Sequence, residues 1–377
     1  MGNISVFSAP GRTELGGNHT DHQRGCVLAA AVDLETTAEV VLNGSNCIRV
    51  CSEGYAPVEV WLDDLSVHAG EENTTAALVR GVAAEFVRRG AVLQGFDARV
   101  RSTVLPGSGL SSSAAFEVLM GTILNDLFFE NAISPAEVAQ IGQYAENVYF
   151  GKPCGLMDQM ASAVGGMVFI DFEYPACPVV ERIDFDLAAA GYALCIIDTG
   201  ADHADLTAEY AAIPGEMREI CRYFGKDVLR EVAPAAFFAA LPDLRGKVAD
   251  RAILRAIHFY RENERVQQQA DALRAGDVEA FLELVKASGR SSWMYLQNIT
   301  PAGAVEQQAV AVALALCEEL LEGRGACRVH GGGFAGTVQA FVPRDMLERF
   351  RTGMEAVLGE GKCHVLSVRS AGGVRLR

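Results

Sequence analysis

The sequence predicts a two-domain α+β protein, and three observations carry that prediction. The chain has 377 residues, half of them apolar, which is enough for two cores of ordinary size. Its first third is made of short apolar runs separated by turn residues, whereas long stretches further on have helical spacing. Near residue 180 the pattern changes, so we expect one domain over 1–180 and a second over 181–377.

The elements follow in order. "ISVFSA", "CVLAAAVD", "TAEVVLN", "CIRVCSE" and "VEVWLDD" read as strands. Thr74 to Gly90 has helical spacing and ends in a basic turn with a glycine stop. "FDARVRSTV" is a strand. A glycine-serine loop then opens directly into the Ala- and Leu-rich helix of "LPGSGLSSSAAFEVLMGTILNDLFF". Ser134-Pro135 begins a helix running to Tyr149, with Glu137 in its first turn. Past residue 180 come a strand, "YALCIIDT", helical segments over His203 to Ser288 and Ala304 to Glu322, and strands "ACRVHG" and "TVQAFVP". A helix over Arg344 to Leu358 and a strand "CHVLSVRS" complete the order. There is no internal repeat and no low-complexity tract.

Composition narrows the function. A net charge of −16 and a pI near 4.9 repel phosphate backbones, so nucleic acid is excluded as a partner, and an anionic substrate must be met by local devices. The ten cysteines are scattered without a Cys-x-x-Cys pair, several in apolar runs, which fits free thiols in a reducing cytosol. "MGNISVFSAPGR" has no basic region followed by an apolar one, so no signal peptide is expected, and Val6 stands where myristoylation wants Ser or Thr. No apolar run reaches the length of a membrane span. A cytoplasmic protein, a monomer or weak dimer, is expected.

Four segments carry chemistry. "LPGSGLSSSAA" joins a strand, a loop of small residues and a helix start, presenting free backbone N–H groups at a positive helix end, a place for phosphates. Ser111, Ser112 and Ser113 add hydroxyls for phosphate oxygens or a magnesium ion. The pattern is neither a P-loop nor a dinucleotide fingerprint, and a serine-rich cap on an ordinary helix is the bland alternative. "AENVYFGKPCGLMDQMASAVGG" puts Asp158 at a helix start between Met157 and Met160, where a buried charge needs a cation such as Arg12. Together they would form a base beside a charge stabiliser, with Glu146 upstream as a carboxylate for magnesium. Otherwise Asp158 is an acid favoured by the helix start. "RVHGGGFAGTVQAFVP" brings a glycine-rich turn close to a ligand or only joins two strands. The fourth, "PGRTELGGNHTDHQRG", is dense in polar residues and holds two of the seven histidines.

These segments, in this order, resemble the signature motifs of the GHMP kinases, and most of all those of its galactokinase members. The family's first motif, Gly-Arg-Val-Asn-Leu-Ile-Gly-Glu-His-Thr-Asp-Tyr, stands against "GRTELGGNHTDH". Its Gly-Leu-Ser-Ser-Ser-Ala is unaltered at Gly109 to Ala114, Cys-Gly-Ile-Met-Asp-Gln is similar to "CGLMDQ", and Gly-Gly-Gly-Phe-Gly-Gly to "GGGFAG". The resemblance spans nearly the whole chain. It implies an ATP-dependent sugar 1-kinase of the GHMP fold, with an N-terminal α/β domain of the ribosomal S5 domain 2 type packed on a ferredoxin-like α+β domain. Asp158 would take the proton of the anomeric hydroxyl and Arg12 would hold Asp158 ionised. Gly107, Ser108, Gly109, Leu110, Ser111, Ser112 and Ser113 would cradle the ATP phosphates, with Ser113 and Glu146 holding Mg2+. Asn18, His19, Asp21, Gly155 and Tyr210 match sugar-binding positions, and we count Glu14 with them. The sequence departs from the pattern in one pair: the family has glutamate at the position of Asn18 and asparagine at that of Glu14. Ile213 also stands three residues after Tyr210, where the family has arginine. The departures admit a second substrate reading, a sugar altered at C6 such as galacturonate. A different class, a catalytically silent regulator that binds sugar and ATP, is a third.

Overall fold

The computed structural model describes residues 4–104, 109–201 and 206–377. Among these residues the chain runs β1 (Ser5–Gly16), β2 (Cys26–Leu42), β3 (Cys47–Ser52), β4 (Val58–Trp61), α1 (Thr75–Arg88) and β5 (Phe96–Ser102). Then come α2 (Ser112–Phe128), α3 (Pro135–Tyr144), α4 (Met157–Val164), β6 (Met167–Asp171) and β7 (Val179–Ile183). The second part holds β8 (Tyr192–Asp198), α5 (Thr207–Tyr223), α6 (Pro234–Leu244), α7 (Asp250–Arg274), α8 (Val278–Ser291) and α9 (Ala309–Leu321). It ends with β9 (Ala326–His330), β10 (Thr337–Pro343), α10 (Leu347–Leu358), β11 (Cys363–Leu366) and β12 (Val374–Arg375).

Two sheets organise this order. The larger runs β12-β1-β2-β5-β3-β4, with β6 beside β2 and β7 beside β6, and only β3 and β5 pair in parallel. The smaller runs β11-β8-β10-β9, all antiparallel. The chain crosses between them after Ile183 and returns at its end, where Phe7 pairs with Arg375.

β2 merges the two strands expected over Cys26 to Asn43. Its first seven residues are buried on both faces and read as a continuous apolar run, whereas its far half alternates, one face toward water. That change of pattern within one strand looks like a break. The expected helix through Tyr149 is α-helical only to Tyr144 and continues as a π-helical turn over Ala145–Phe150. Strands β6, β7 and β12 were not anticipated; β12 has two residues and no pattern to read.

Helices α1 to α4 cover one face of the larger sheet around Phe86, Phe96, Leu119 and Met160. The other face meets the smaller sheet, α7 and α8 in a shared core containing Leu15, Leu28, Phe169, Ile196, Phe281 and Phe341. Phe281 and Phe341 meet edge to face at 5.2 Å with neither ring exposed, so truncating either to alanine costs about 3–5 kcal/mol. The far face of the smaller sheet packs on α9 and α10. All ten cysteines are free, and among the described residues no helix is long and apolar enough to cross a membrane.

Candidate active site

The polar opening segment runs from the end of β1 into a 3-10 turn at Asp21–Gln23, and other elements converge on it. Register irregularities in the β1–β2 pairing flank Arg12 and Glu14, the device by which a strand re-aims side chains. Helix α7 holds the segment from behind. His258 Nε2 donates to the Asn18 carbonyl at 2.9 Å, Glu262 accepts from the Gly17 N–H at 3.3 Å, and Asn263 accepts from the Cys26 N–H at 2.7 Å.

Arg12 and Asp158 meet in a two-pronged pair. Arg12 Nε donates to Asp158 Oδ1 at 2.7 Å and Nη2 lies 2.5 Å from Oδ2, while Nη1 donates to the Gly109 carbonyl. The Asp158 side chain stays 30% exposed against 9% for Arg12, so the carboxylate can still be reached from solvent while its cation is buried. Asp158 lies in the first turn of α4, which Ser162 anchors by donating to the Pro10 carbonyl at 2.6 Å. The fixed fork of the guanidinium sets the orientation of the carboxylate as well as its charge.

Ser111 introduces α2 with a left-handed φ of 56°, and the first-turn amides behind it have no partner within the helix. Ser113 Oγ donates to Glu146 Oε1 at 3.3 Å. Glu146 is buried at the start of the π-helical turn, contacted also by Lys152 Nζ at 3.1 Å and Gln159 Nε2 at 2.9 Å. Glu117, fully buried, shares Gln159, and burial followed by the nearness of Glu146 pushes its carboxyl well above the usual range. Gly109 and Leu110 accept from Arg12 through their carbonyls, Ser112 begins α2, and Gly107 and Ser108 lie outside the described residues.

Ser113 and Glu146 fit a magnesium ion in the chemistry of their donors. Both offer hard oxygens at one spot, and the buried Glu117 Oε1 has no hydrogen-bond partner in the described structure. Among the described residues no cluster of three His, Cys, Asp or Glu side chains could hold a metal unaided. That suits an ion that takes one or two protein oxygens and completes its shell with phosphates and water.

Asp21 is near enough to Asp158 for the charge of one to act on the other. Burial, and then the charge of Asp158, raise its carboxyl to about 6 against the lowering effect of the backbone N–H of His22. Gly155 is what lets it stand there, because a Cβ on Gly155 would fall 2.0 Å from Asp21 Oδ2. His19, itself at a φ of 58°, donates from Nε2 to the Gly332 carbonyl at 3.0 Å, and burial lowers its pKa. Tyr210 on α5 donates to the Gly333 carbonyl at 2.9 Å and packs on Phe334. The 331–336 turn between β9 and β10 therefore touches the opening segment, and its carbonyls are acceptors for this set.

Glu14 and Asn18 are placed differently from the open residues. Glu14 is buried in an ion pair with Arg328, whose side chain has no exposure. Asn18 is 1% exposed with its amide engaged on both sides. Nδ2 donates to the Gly331 carbonyl at 2.7 Å and to Glu14 at 3.3 Å, while Oδ1 accepts from Asn298 at 2.8 Å and Ser292 at 3.3 Å. Sequence reasoning did not single out Arg328, Asn298, His258, Glu117, Gln159 or Lys152. Gln159, the last residue of "CGLMDQ", and Lys152, two residues before it, had a usable signal in their place; Asn298 and His258 sit in helical or loop runs with no motif of their own.

Residues 77–166 match the model of the GHMP kinases N terminal domain, and residues 2–41 match the galactokinase galactose-binding signature. The fold is similar to that of Lactococcus lactis galactokinase crystallised with galactose, with TM-score 0.84, 27% identity, 99% of this chain and 95% of that one covered. It is also similar to a D-glycero-D-manno-heptose 1-phosphate kinase from Bacteriodes thetaiotaomicron, with TM-score 0.67, 15% identity and coverage of 100% and 99%. Methanococcus jannaschii mevalonate kinase follows, with TM-score 0.68, 12% identity and coverage of 96% and 98%. These last two speak for the fold alone. Residues 77–166 thus match a GHMP kinase N-terminal domain, residues 2–41 match a galactokinase signature, and the α+β fold over the whole chain is similar to that of a galactokinase.

Proposed function

We propose that this protein transfers the γ-phosphoryl group of ATP to the anomeric hydroxyl of galactose or a close galacto-configured sugar, giving the sugar 1-phosphate and ADP. The observation that carries this reading is the Arg12–Asp158 pair, whose arginine also bonds the Gly109 carbonyl just before α2 and whose carboxylate acts on the charge of Asp21. A base is thus tied to a helix start fit for phosphates and lies near a carboxylate fit for sugar hydroxyls. Asp158 takes the proton from O1 as O1 attacks the γ-phosphorus, and the bond to the bridging oxygen of ADP breaks. Arg12 holds the carboxylate in position and offsets negative charge as it moves toward ADP. The first-turn amides of α2 and the Ser111 to Ser113 hydroxyls hold phosphate oxygens. Ser113 and Glu146 would hold Mg2+, which supplies neutralisation of the β- and γ-phosphate charge. Asp21, His19 and Tyr210 line the sugar side, with Gly155 giving Asp21 its room.

A sugar altered at C6, such as galacturonate, is favoured by one further observation. His22 lies next to His19 with its buried Nε2 lacking a hydrogen-bond partner in the described structure, and burial lowers its pKa to about 3, so a neutral ring is left to bond a polar group altered at C6. The test is a panel of hexoses and uronates with ATP and magnesium, read by coupled ADP release, with phosphorus NMR of the product to locate the phosphate. Absence of turnover with every sugar sinks the kinase reading; turnover that survives Asp158→Asn undiminished removes the base. Loss of turnover in that variant separates an enzyme from a silent sugar- and ATP-binding relative.

A further inference from the structure

Behind Ser113 and Glu146 lies a layer of polar side chains that the phosphoryl-transfer reading does not use. Gln159 Nε2 has two hydrogens and spends one on each of two glutamates, donating to Glu146 Oε2 at 2.9 Å and to Glu117 Oε2 at 2.9 Å. Glu146 Oε1 is thereby left turned toward Ser113 and Lys152. Glu117 follows Ser113 by four residues on α2, so a hydroxyl of the cation side and the carboxyl behind it share one helix face. Gln159 follows Asp158 directly on α4. Space for the layer comes from Gly142 of α3, where a Cβ would stand 3.1 Å from Glu117 Cβ and 3.3 Å from Gln159 Cγ. Both Glu117 and Gln159 are without exposure, and each keeps one buried oxygen that has no hydrogen-bond partner in the described structure. Buried polar groups left half-satisfied are rarely retained for packing, and ligating carboxylates are ordinarily fixed by outer hydrogen bonds.

We propose that Glu117 and Gln159 are positioning residues for the divalent cation of the nucleotide, Gln159 orienting the Glu146 carboxylate and Glu117 fixing the Gln159 amide. The proposal rests on the kinase reading of this site, since it assigns Glu146 to the cation. Because Gln159 and Asp158 are neighbours on α4, the same short helix sets both the base and the carboxylate that faces the metal.

The test measures Mn2+ affinity of the ADP complex by electron paramagnetic resonance of free Mn2+, independent of turnover, together with sugar affinity and the thermal midpoint. Gln159→Met, which keeps volume and removes both donors, is expected to weaken Mn2+ binding about 10- to 100-fold while sugar affinity stays unchanged. Glu117→Leu is expected to act in the same direction, and Glu117→Gln, which keeps an oxygen acceptor for Gln159, to retain affinity within about threefold of wild type. Should Glu117→Leu not fold, Gln159→Met and Glu117→Gln carry the comparison. Folded Gln159→Met with wild-type Mn2+ affinity overturns the proposal, and if Glu146→Gln abolishes that affinity in the same series, the kinase reading stands without it. A wild-type protein whose ADP complex binds no Mn2+ overturns both.

Discussion

Replacing Asn18 by glutamate restores the residue that galactokinase motifs have at this position, and on sequence grounds alone it should retune sugar choice. The structure predicts instead a protein that is first of all less stable. Asn18 Nδ2 donates to the Gly331 carbonyl and to Glu14; a carboxylate donates to neither. The Gly331 carbonyl left without its donor costs about 1–3 kcal/mol. The new charge sits beside Glu14, within a few ångströms, and at an effective dielectric of about 20 that repulsion is worth about 4 kcal/mol. Asn298 and Ser292 still donate to an oxygen there and offset part of it, so a net loss on the order of 3–5 kcal/mol is expected. Glu14→Asn removes the carboxylate of the unexposed Arg328, which keeps only Ser288 and the Glu14 carbonyl, and costs about 3–5 kcal/mol. Making both changes at once puts one carboxylate back within reach of Arg328. The double variant should therefore be more stable than the sum of the single losses by about 2–3 kcal/mol. Urea midpoints of the four proteins, at matched slopes, supply the cycle. Kinetics with galactose and galacturonate are read on the variants that fold. If Asn18→Glu unfolds at the wild-type midpoint and shifts sugar preference more than tenfold, the buried bracket is the wrong account and residue 18 is a sugar contact.

Three further outcomes follow from the site. Asp158→Asn keeps the shape and removes the base, so kcat should fall on the order of 10³-fold, measured by ADP release, with nucleotide affinity little changed. Arg12→Lys keeps the charge but loses the fork that grips both Asp158 oxygens and Gly109, and kcat should drop at least about tenfold while the thermal midpoint holds within a few degrees. Asp21 is raised to about 6, so folding favours its protonated form: its contribution to stability is present below the unfolded value near 4 and is lost as pH rises to about 6. Binding needs the ionised form to accept from a sugar hydroxyl, so kcat/KM should fall below pH 6 on a limb that Asp21→Asn removes.

Much of the site was legible because local chemistry and local sequence coincide there. A serine run at a helix start advertises phosphate amides, and a carboxylate between two methionines asks for a cation, which Arg12 supplies across 146 residues of chain. The strands were legible wherever one face met water, and least where β2 passes from a doubly buried to a half-buried environment. What the sequence did not disclose is the second half of each polar contact. Glu14 is closed by Arg328, Asn18 by Asn298 and Gly331, and Asn18's carbonyl by His258, partners 240 to 314 residues distant. No periodicity encodes such pairings, because they are made by packing two sheets and α7 around one shared core.

That closure also explains why acid and amide exchange places without emptying the site. Both positions belong to one buried network in which Glu14 pairs directly with the unexposed Arg328, with the buried Glu262 near it through Ser288. Moving the acid from 18 to 14 keeps one carboxylate in the bracket while shifting it from the turn after β1 onto β1 itself. Each change made alone would set a further carboxylate beside Glu14 or take from Arg328 the carboxylate it pairs with directly, and either state is costly. The pair is therefore expected to change together. On the proposed function, selection of the sugar would then fall to Asp21, His19 and Tyr210, the last two bonded to the 331–336 turn that Asn18 also holds.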